Sequence, residues 1–283
     1  MQKLLLLLIA IGTTLFSFAQ DDDNARDSIG ARIVDEGKQL YRSEMASWYG
    51  TDVFLEKFKD RDKMGGCFSY TEGKEAKCIF FSKGEAPKVI GTIVFDDTYN
   101  VSTAKTILKE RDFTTTEHTL FQIRATALKT VNGDTLFKVY QNTSLNLIPF
   151  IYKGERKVYI LTGPEKTGVV VFGNDYELTF DNKNQLTSKK KLHRNIIMTE
   201  YGRKQSEGEA EFGSMHTHMT ETGGLITPTD ICTLMLYQKF TKWQQHIVMS
   251  DTYVSIWDCN KNQLITLTKE AWDKIIKDQE KKQ

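Results

Sequence analysis

Short runs of β-branched and aromatic residues, separated by turn-forming Gly, Asn and Pro, recur through this chain and alternate with stretches of helical spacing. Such runs indicate antiparallel hairpins. The predicted strands are 67–70, 78–81, 89–95, 145–152, 158–161, 169–172, 176–180, 186–197, 212–218, 247–250 and 253–258, and the predicted helices are 28–58, 117–131, 228–240 and 269–277. We therefore expect an α+β fold, with an N-terminal helix plus antiparallel hairpins and then a C-terminal mixed sheet flanked by helices.

The N-terminus carries the pattern of a cleaved secretory signal peptide. Lys3 is followed by an apolar run over residues 4–16 and by the small residues Ser17 and Ala19. The run is too short for a membrane helix, which needs about 20 apolar residues, and no later segment is long enough either. We expect cleavage after Ala19 and export to the periplasm or the extracellular space.

Length and charge limit the organisation and the partners of the protein. The 283 residues allow a signal peptide over 1–19, an N-terminal α+β region of unassigned role over 20–146 and a C-terminal domain over 147–283. The formal net charge is +1 and charges of both signs are interspersed. This balance argues against nucleic acid as a partner.

The four cysteines of an exported chain allow three disulfide pairings. Cys67 and Cys78 are equidistant from Glu72-Gly73, so a hairpin turning there would place them opposite each other, where a disulfide is geometrically allowed. Cys232 falls on a predicted helix and Cys259 on a predicted strand, and the sequence is compatible either with a disulfide between them or with two buried free thiols.

A potential metal site lies in the last third of the chain. His216 and His218 are one residue apart on a predicted strand, so both side chains project to the same face. Asp230 lies in the first turn of the next predicted helix, where Thr227 is a good N-cap. Two imidazoles and a carboxylate leave a zinc ion one position for water. Two other interpretations stay open, because a carboxylate at this point favours the helix dipole and a histidine pair is also common on an exposed edge strand.

The segment Gly213-Ser214-Met215-His216-Thr217-His218, followed by Thr227-Pro228-Thr229-Asp230, resembles the metal-binding signature of the JAMM metalloprotease family. In that family an H-x-H strand leads through a loop to S-x-x-D at a helix start. The resemblance covers residues 158–259, where the order of elements is similar to that of JAMM and cytidine-deaminase-like folds. The chain departs from the family pattern at Met219, where proline is usual, and in a connection to the aspartate that is one residue longer.

The resemblance implies roles for individual residues. His216, His218 and Asp230 would be zinc ligands, and Thr227 would occupy the serine position whose hydroxyl stabilises the developing oxyanion. Hydrolysis also needs a carboxylate that takes the proton from water. Glu165, in a segment that resembles the E-x-x-G strand entry of the family, is one candidate. The alternatives are the loop glutamates, Glu200, Glu209 and Glu211, or a site without a base.

Two functions are compatible with these observations. The first is an exported zinc-dependent hydrolase that cleaves a peptide or isopeptide bond in a peptide or protein substrate. The alternative is a noncatalytic binding or structural module that keeps the JAMM-like fold, with or without the metal. His193 lies on a predicted strand and His246 opens another, and both are interpreted as structural, since an isolated histidine is more often structural than a ligand.

Overall fold

The computed structural model of this chain describes the backbone of residues 2–202 and 213–281, and the side chains of residues 25–202, 213–219 and 221–281. The described part is an α+β fold. Its helices are α1 (Gln2–Lys57), α2 (Thr115–Gly133), α3 (Pro228–Thr241) and α4 (Lys269–Glu280), with 3-10 turns at Arg61–Lys63 and Thr220–Thr222. Its strands are β1 (Met64–Glu72), β2 (Glu75–Ser82), β3 (Val89–Phe95), β4 (Lys105–Ile107), β5 (Thr143–Tyr152), β6 (Glu155–Pro164), β7 (Val169–Gly173), β8 (Tyr176–Phe180), β9 (Leu186–Lys191), β10 (Ile196–Glu200), β11 (Gly213–Thr217), β12 (Gln245–Met249), β13 (Tyr253–Asp258) and β14 (Gln263–Thr268).

The first sheet is antiparallel, in the order β1-β2-β3-β4, and α1 packs on it. Phe54 of α1 stacks on Phe80 of β2, with ring centroids 3.8 Å apart. The β1–β2 turn lies at Gly73-Lys74, one residue later than expected, and Gly73 has the left-handed φ of +57° that such a turn favours.

That one-residue shift corrects the predicted placement of two cysteines. Cys67 pairs with Phe80 and Cys78 pairs with Ser69, so the cysteines are diagonal neighbours on one face instead of directly opposite partners. Both are free thiols in this structure, as are Cys232 and Cys259. The predicted disulfide stays a prediction.

The middle of the chain forms a second antiparallel sheet, in the order β5-β6-β8-β9, and a separate antiparallel pair of β7 and β10. The single strand predicted over 186–197 is wrong. The chain leaves the sheet after Lys191 and starts β10 only at Ile196, where it pairs with Gly173 of β7. The Leu192 N–H still donates to the carbonyl of Asp175, and the Asn195 carbonyl accepts from the Asn174 N–H. The break therefore leaves His193 and Arg194 outside both pairings and places His193 between two sheets.

The last third contains the third sheet, in the order β11-β12-β13-β14. β11 pairs with β12 in parallel, and the other two pairings are antiparallel. This is the mixed sheet that the sequence predicts. Its outer strand β14 was not predicted, and neither was the three-residue β4 of the first sheet.

The hydrophobic cores join segments from both predicted regions. One core cluster combines Ile79 and Leu120 with Leu147 and Val158, and α1 packs against both the first sheet and α3. The expected boundary between residues 146 and 147 falls inside β5. Within the described residues, no helix combines the length and apolarity that crossing a bilayer requires.

Candidate metal centre

Four buried side chains converge where β11 ends and α3 begins. His193, His216, His218 and Asp230 each direct one donor atom into a group whose atoms all lie within 4.8 Å of one another. Each of these residues is at most 5% exposed. The structure therefore brings together the three predicted ligands and adds His193.

The histidine pair takes its orientation from β11. His216 lies on the strand opposite Val248 of β12, and the backbone N–H of His218 donates to Met249 at 2.8 Å, which continues the pairing past the end of the strand. Met215 and Met219 are 56% and 41% exposed, whereas the two histidines are buried. The predicted alternation of faces is confirmed, and the interpretation as surface polar residues is wrong.

Asp230 is both a helix cap and a member of the donor group. Its Oδ2 accepts hydrogen bonds from the Thr227 backbone N–H at 2.9 Å and from the Thr227 hydroxyl at 2.7 Å, while its own N–H donates to Thr227 Oγ1 at 3.1 Å. This is a complete capping box. Oδ1 faces away from the cap toward His193 Nε2, 3.0 Å away. The cap therefore fixes the carboxylate with one oxygen directed into the group.

His193 enters the group from the segment between β9 and β10. Its Nδ1 is buried and has no hydrogen-bond partner, and Oδ2 of Asp175 lies 3.6 Å from it. Asp175 is itself held by the backbone N–H of Thr162 at 2.8 Å. A histidine between a carboxylate and a shared donor group is the arrangement found for metal ligands, whose second ring nitrogen faces a carboxylate.

The separations between donor atoms fit a tetrahedral metal ion. Zinc bonds of about 2.0–2.1 Å to nitrogen and oxygen place neighbouring ligand atoms about 3.3 Å apart in a tetrahedron. Here Nε2 of His216 and Nε2 of His218 are 3.0 Å apart. Oδ1 of Asp230, the oxygen that faces the group, lies 3.7 Å from Nε2 of His216 and 3.0 Å from Nε2 of His193. The four residues can close around one ion with small adjustments.

The other two imidazoles are also fixed on their far sides. Nδ1 of His218 is 2.9 Å from the carbonyl oxygen of Leu225. Nδ1 of His216 is 2.9 Å from Nε2 of His246, and Nδ1 of His246 is 2.7 Å from the hydroxyl of Ser214. Phe172 stacks on the His246 ring, with centroids 4.8 Å apart. Contacts behind the ligands therefore limit the rotation of every ring.

Burial and charge set the protonation of these groups. Burial lowers the pKa of His216 to about 3 and that of His246 to about 4, so both rings are neutral, as metal ligation requires. Burial alone would raise the pKa of Asp230, but the charge and the hydrogen bond of the adjacent His193 lower it well below its ordinary value. Burial also raises the pKa of Asp175 to about 7. Buried carboxylates cost free energy unless a cation offsets them, and a divalent ion would do so.

The predicted base and oxyanion residues occupy different places. Glu165 is exposed in the turn between β6 and β7, where its N–H donates to the carbonyl of Asn142, and it is outside the donor group. Glu200 is exposed at the end of β10, and Glu209 and Glu211 lie outside the described residues. Thr227 is at the centre, but its hydroxyl donates to Asp230. No glutamate of the described part belongs to the group.

A cavity of about 390 Å³ lies beside the centre. One wall is the connection from Thr222 to Pro228, which carries the carbonyl that contacts His218, and the opposite walls are α1 and the second sheet. None of the four donor residues lines it. The connection between His218 and Asp230 therefore separates the donor group from this cavity.

Comparisons with protein-family models, with curated proteins and with solved structures found no match to this chain.

Proposed function

We propose that this protein binds one zinc ion through His193, His216, His218 and Asp230, as a metal-binding module. The convergence of four buried donor atoms at ligand separations carries the proposal. Imidazole nitrogen with a single carboxylate in tetrahedral geometry suits zinc better than magnesium or calcium, which prefer more oxygen ligands.

Four protein ligands fill a tetrahedral zinc site, which is the pattern of structural zinc sites. The ion would tie together the end of β11, the start of α3 and the segment between β9 and β10. The donor residues span positions 193–230, and their crosslinking by the ion stabilises the folded chain relative to the unfolded one. The alternative that the sequence left open, a noncatalytic module that keeps the metal, is therefore the function we favour.

The test is metal analysis combined with thermal unfolding. We expect one equivalent of zinc in the purified protein and none after substitution of both His216 and His218 by alanine. A chelator should lower the Tm of the wild type by at least about 5 °C, since 1 kcal/mol corresponds to about 2–4 °C in a domain of this size. His118→Ala is the matched control, because His118 is exposed on α2 and outside the group. Equal zinc content in the wild type and the double variant would refute the site.

A second candidate function is the zinc-dependent hydrolysis implied by the resemblance to JAMM metalloproteases. The observation that favours it is the order of the strand with His216 and His218, the connection, and the helix start at Asp230. Bound zinc supplies such chemistry by lowering the pKa of water in an open position. His193 would have to leave the group to open one, and Asp175 is the nearby carboxylate that could then accept a proton.

Hydrolysis predicts that the zinc-loaded wild type cleaves peptide or isopeptide substrates. Asp175→Asn would then abolish cleavage while retaining zinc, and Glu165→Gln would leave it unchanged. If Glu165→Gln alone abolished cleavage, the base would be the glutamate that the resemblance implies. A zinc-loaded wild type that cleaves none of a broad panel of peptide and isopeptide substrates would contradict hydrolysis and leave the structural role of the zinc ion.

We also propose that the protein is exported, on the strength of the apolar run over residues 4–16 and the small residues that end at Ala19. Mass spectrometry of protein recovered from the periplasm or medium of a bacterial host should give an N-terminus at Gln20. Recovery from the cytoplasm with residues 1–19 intact would contradict export.

A further inference from the structure

A continuous line of hydrogen-bonded groups runs through three imidazole rings of the metal centre. The Ser214 hydroxyl contacts Nδ1 of His246 at 2.7 Å, and Nε2 of His246 contacts Nδ1 of His216 at 2.9 Å. Nε2 of His216 contacts Nε2 of His218 at 3.0 Å, and Nδ1 of His218 contacts the carbonyl of Leu225 at 2.9 Å. The parallel pairing of β11 with β12 sets Ser214 opposite His246.

The carbonyl at one end fixes the direction of every bond in this line when no ion is bound. A carbonyl oxygen only accepts, so His218 carries its proton on Nδ1 and leaves Nε2 free. His216 must then donate from Nε2 to His218 and accept at Nδ1 from His246. His246 in turn carries its proton on Nε2 and accepts at Nδ1 from the Ser214 hydroxyl. With neutral rings, this is the one arrangement in which every contact is a hydrogen bond.

A bound ion requires the opposite arrangement at His216. The ion takes the lone pairs of both Nε2 atoms, so His216 must carry its proton on Nδ1. It then donates to Nε2 of His246, which has to be unprotonated. His246 accordingly carries its proton on Nδ1 and donates to Ser214 Oγ. The hydrogen bond from Nδ1 of His218 to the Leu225 carbonyl keeps its direction, because Nε2 of His218 carries no proton in either state.

We propose that Ser214 and His246 form a tautomeric relay that positions His216, and that metal binding reverses the direction of its two hydrogen bonds. The protons balance. The proton displaced from Nε2 of His216 goes to solvent, His246 passes its Nε2 proton to His216, and Ser214 passes its hydroxyl proton to His246. Ser214 regains a proton from solvent, which it can reach because it is only partly buried. The relay therefore takes up and releases no net proton.

The identity of residue 246 explains why both states are tolerated. A carbonyl or carboxylate at that place would hold His216 permanently in the metal-binding tautomer. Histidine can accept in one state and donate in the other, so neither state leaves a buried polar group unpaired. His246 is 1% exposed and cannot obtain a substitute partner from bulk water. The chain therefore keeps these hydrogen bonds both without and with the ion.

This inference rests on the proposed zinc site and is tested separately from it. Protein labelled with ¹⁵N at histidine is compared before and after addition of zinc, with two-bond nitrogen–proton spectra that distinguish the two tautomers. We expect His216 and His246 to change from Nε2–H to Nδ1–H and His218 to keep Nδ1–H. His118→Gln removes the histidine outside the centre and simplifies assignment.

Affinity measurements supply a second readout. His246→Leu should weaken zinc binding about 10–100-fold, as expected for loss of a partner behind a ligand, and His246→Gln should restore part of the loss because an amide can donate or accept. A wild type that binds zinc while His246 keeps one tautomer overturns the relay and leaves the zinc site intact. Unchanged affinity of His246→Leu also overturns it. A wild type that binds no zinc overturns both.

Discussion

Gly37 of α1 lies so close to Ile231 of α3 that a Cβ atom added at Gly37 would be 2.7 Å from Cβ of Ile231 and 3.0 Å from the carbonyl oxygen of Pro228. Ile231 follows Asp230 directly, and Pro228 is the first residue of the same helix. The N-terminal helix therefore presses on the turn that holds one of the proposed ligands.

We predict that Gly37→Ala destabilises the fold by about 1–3 kcal/mol, because overpacking forces the two helices apart. It should also weaken zinc binding by displacing the turn around Asp230. Chemical denaturation and zinc titration check the two effects. Gly30→Ala is the control on the same helix, where the added Cβ would meet only Leu264 at an ordinary 3.6 Å. Equal stability losses in the two variants would contradict the role of the contact.

A second prediction concerns Asp175, which lies behind His193. Asp175→Asn should keep one equivalent of zinc but weaken its binding about 10–100-fold, because the carboxylate orients the ring and raises its basicity. Competition with a chelator of known affinity measures the effect. Glu165→Gln, a change in an exposed carboxylate outside the donor group, should leave the affinity unchanged. An Asp175→Asn variant with wild-type affinity would argue that His193 is positioned by Asp230 alone.

A third prediction is that ionisation of Glu44 destabilises the folded protein as the pH rises. Burial raises the pKa of Glu44 from 4.5 to about 7 in the folded chain, where the side chain accepts a hydrogen bond from Asn146. Because the pKa of Glu44 is higher in the folded than in the unfolded chain, its contribution to the stability of the fold is fully present below pH 4.5. That contribution is lost as the pH rises toward 7.

Glu44→Gln should therefore stabilise the protein at pH 8 by about 1–3 kcal/mol relative to the wild type, with a smaller difference at pH 4. Denaturation of the metal-free protein at both values measures it. Glu56→Gln, an exposed change on the same helix, should show no such difference. A Glu44→Gln variant that is no more stable at pH 8 than at pH 4, relative to the wild type, would contradict the raised pKa of Glu44.

A fourth prediction concerns the diagonal cysteines. A hydrogen bond from the Cys78 thiol lowers the pKa of Cys67 to about 7, so Cys67 is the more reactive partner. Mild oxidation of the folded protein by a small-molecule disulfide should join Cys67 to Cys78, which peptide mapping by mass spectrometry detects. Cys232 and Cys259 are buried and should react only after unfolding. Oxidation that first joins any other pair, or none, would contradict this pairing.

Local patterns in the sequence predicted most of the elements, because the alternation of apolar residues and the N-cap at Thr227 are properties of short segments. Pairing between distant segments was less accessible. The β1–β2 turn was placed one residue early, and a shift of one residue changes every cross-strand partner, including those of Cys67 and Cys78. The break after Lys191 was missed because no glycine or proline interrupts residues 186–197.

The candidate site shows the same contrast between residues that are close in the sequence and residues that are distant in it. His216, His218 and Asp230 were recognisable because they lie within one short stretch with a strand and a helix start. His193 lies between β9 and β10 and His246 lies on β12, and only the pairing of distant segments brings them to the centre. Four of the five histidines of the chain lie at the centre, which makes histidine the informative residue type. The number of histidines does not, however, say where in the fold each one lies.

Because β11 and β12 are parallel, β11, α3 and β12 form a β-α-β crossover. The chain returns through α3 to the end of the sheet where β11 begins, and β12 starts there. In such a unit the carboxyl end of the first strand and the amino end of the helix meet at one edge, where open α/β sheets place their ligand sites. The meeting of His218 with Asp230 is thus a property of topology and depends little on the length of the intervening connection. Insertions in this connection should be tolerated as long as the strand end, the Leu225 carbonyl that contacts His218 and the helix cap are kept.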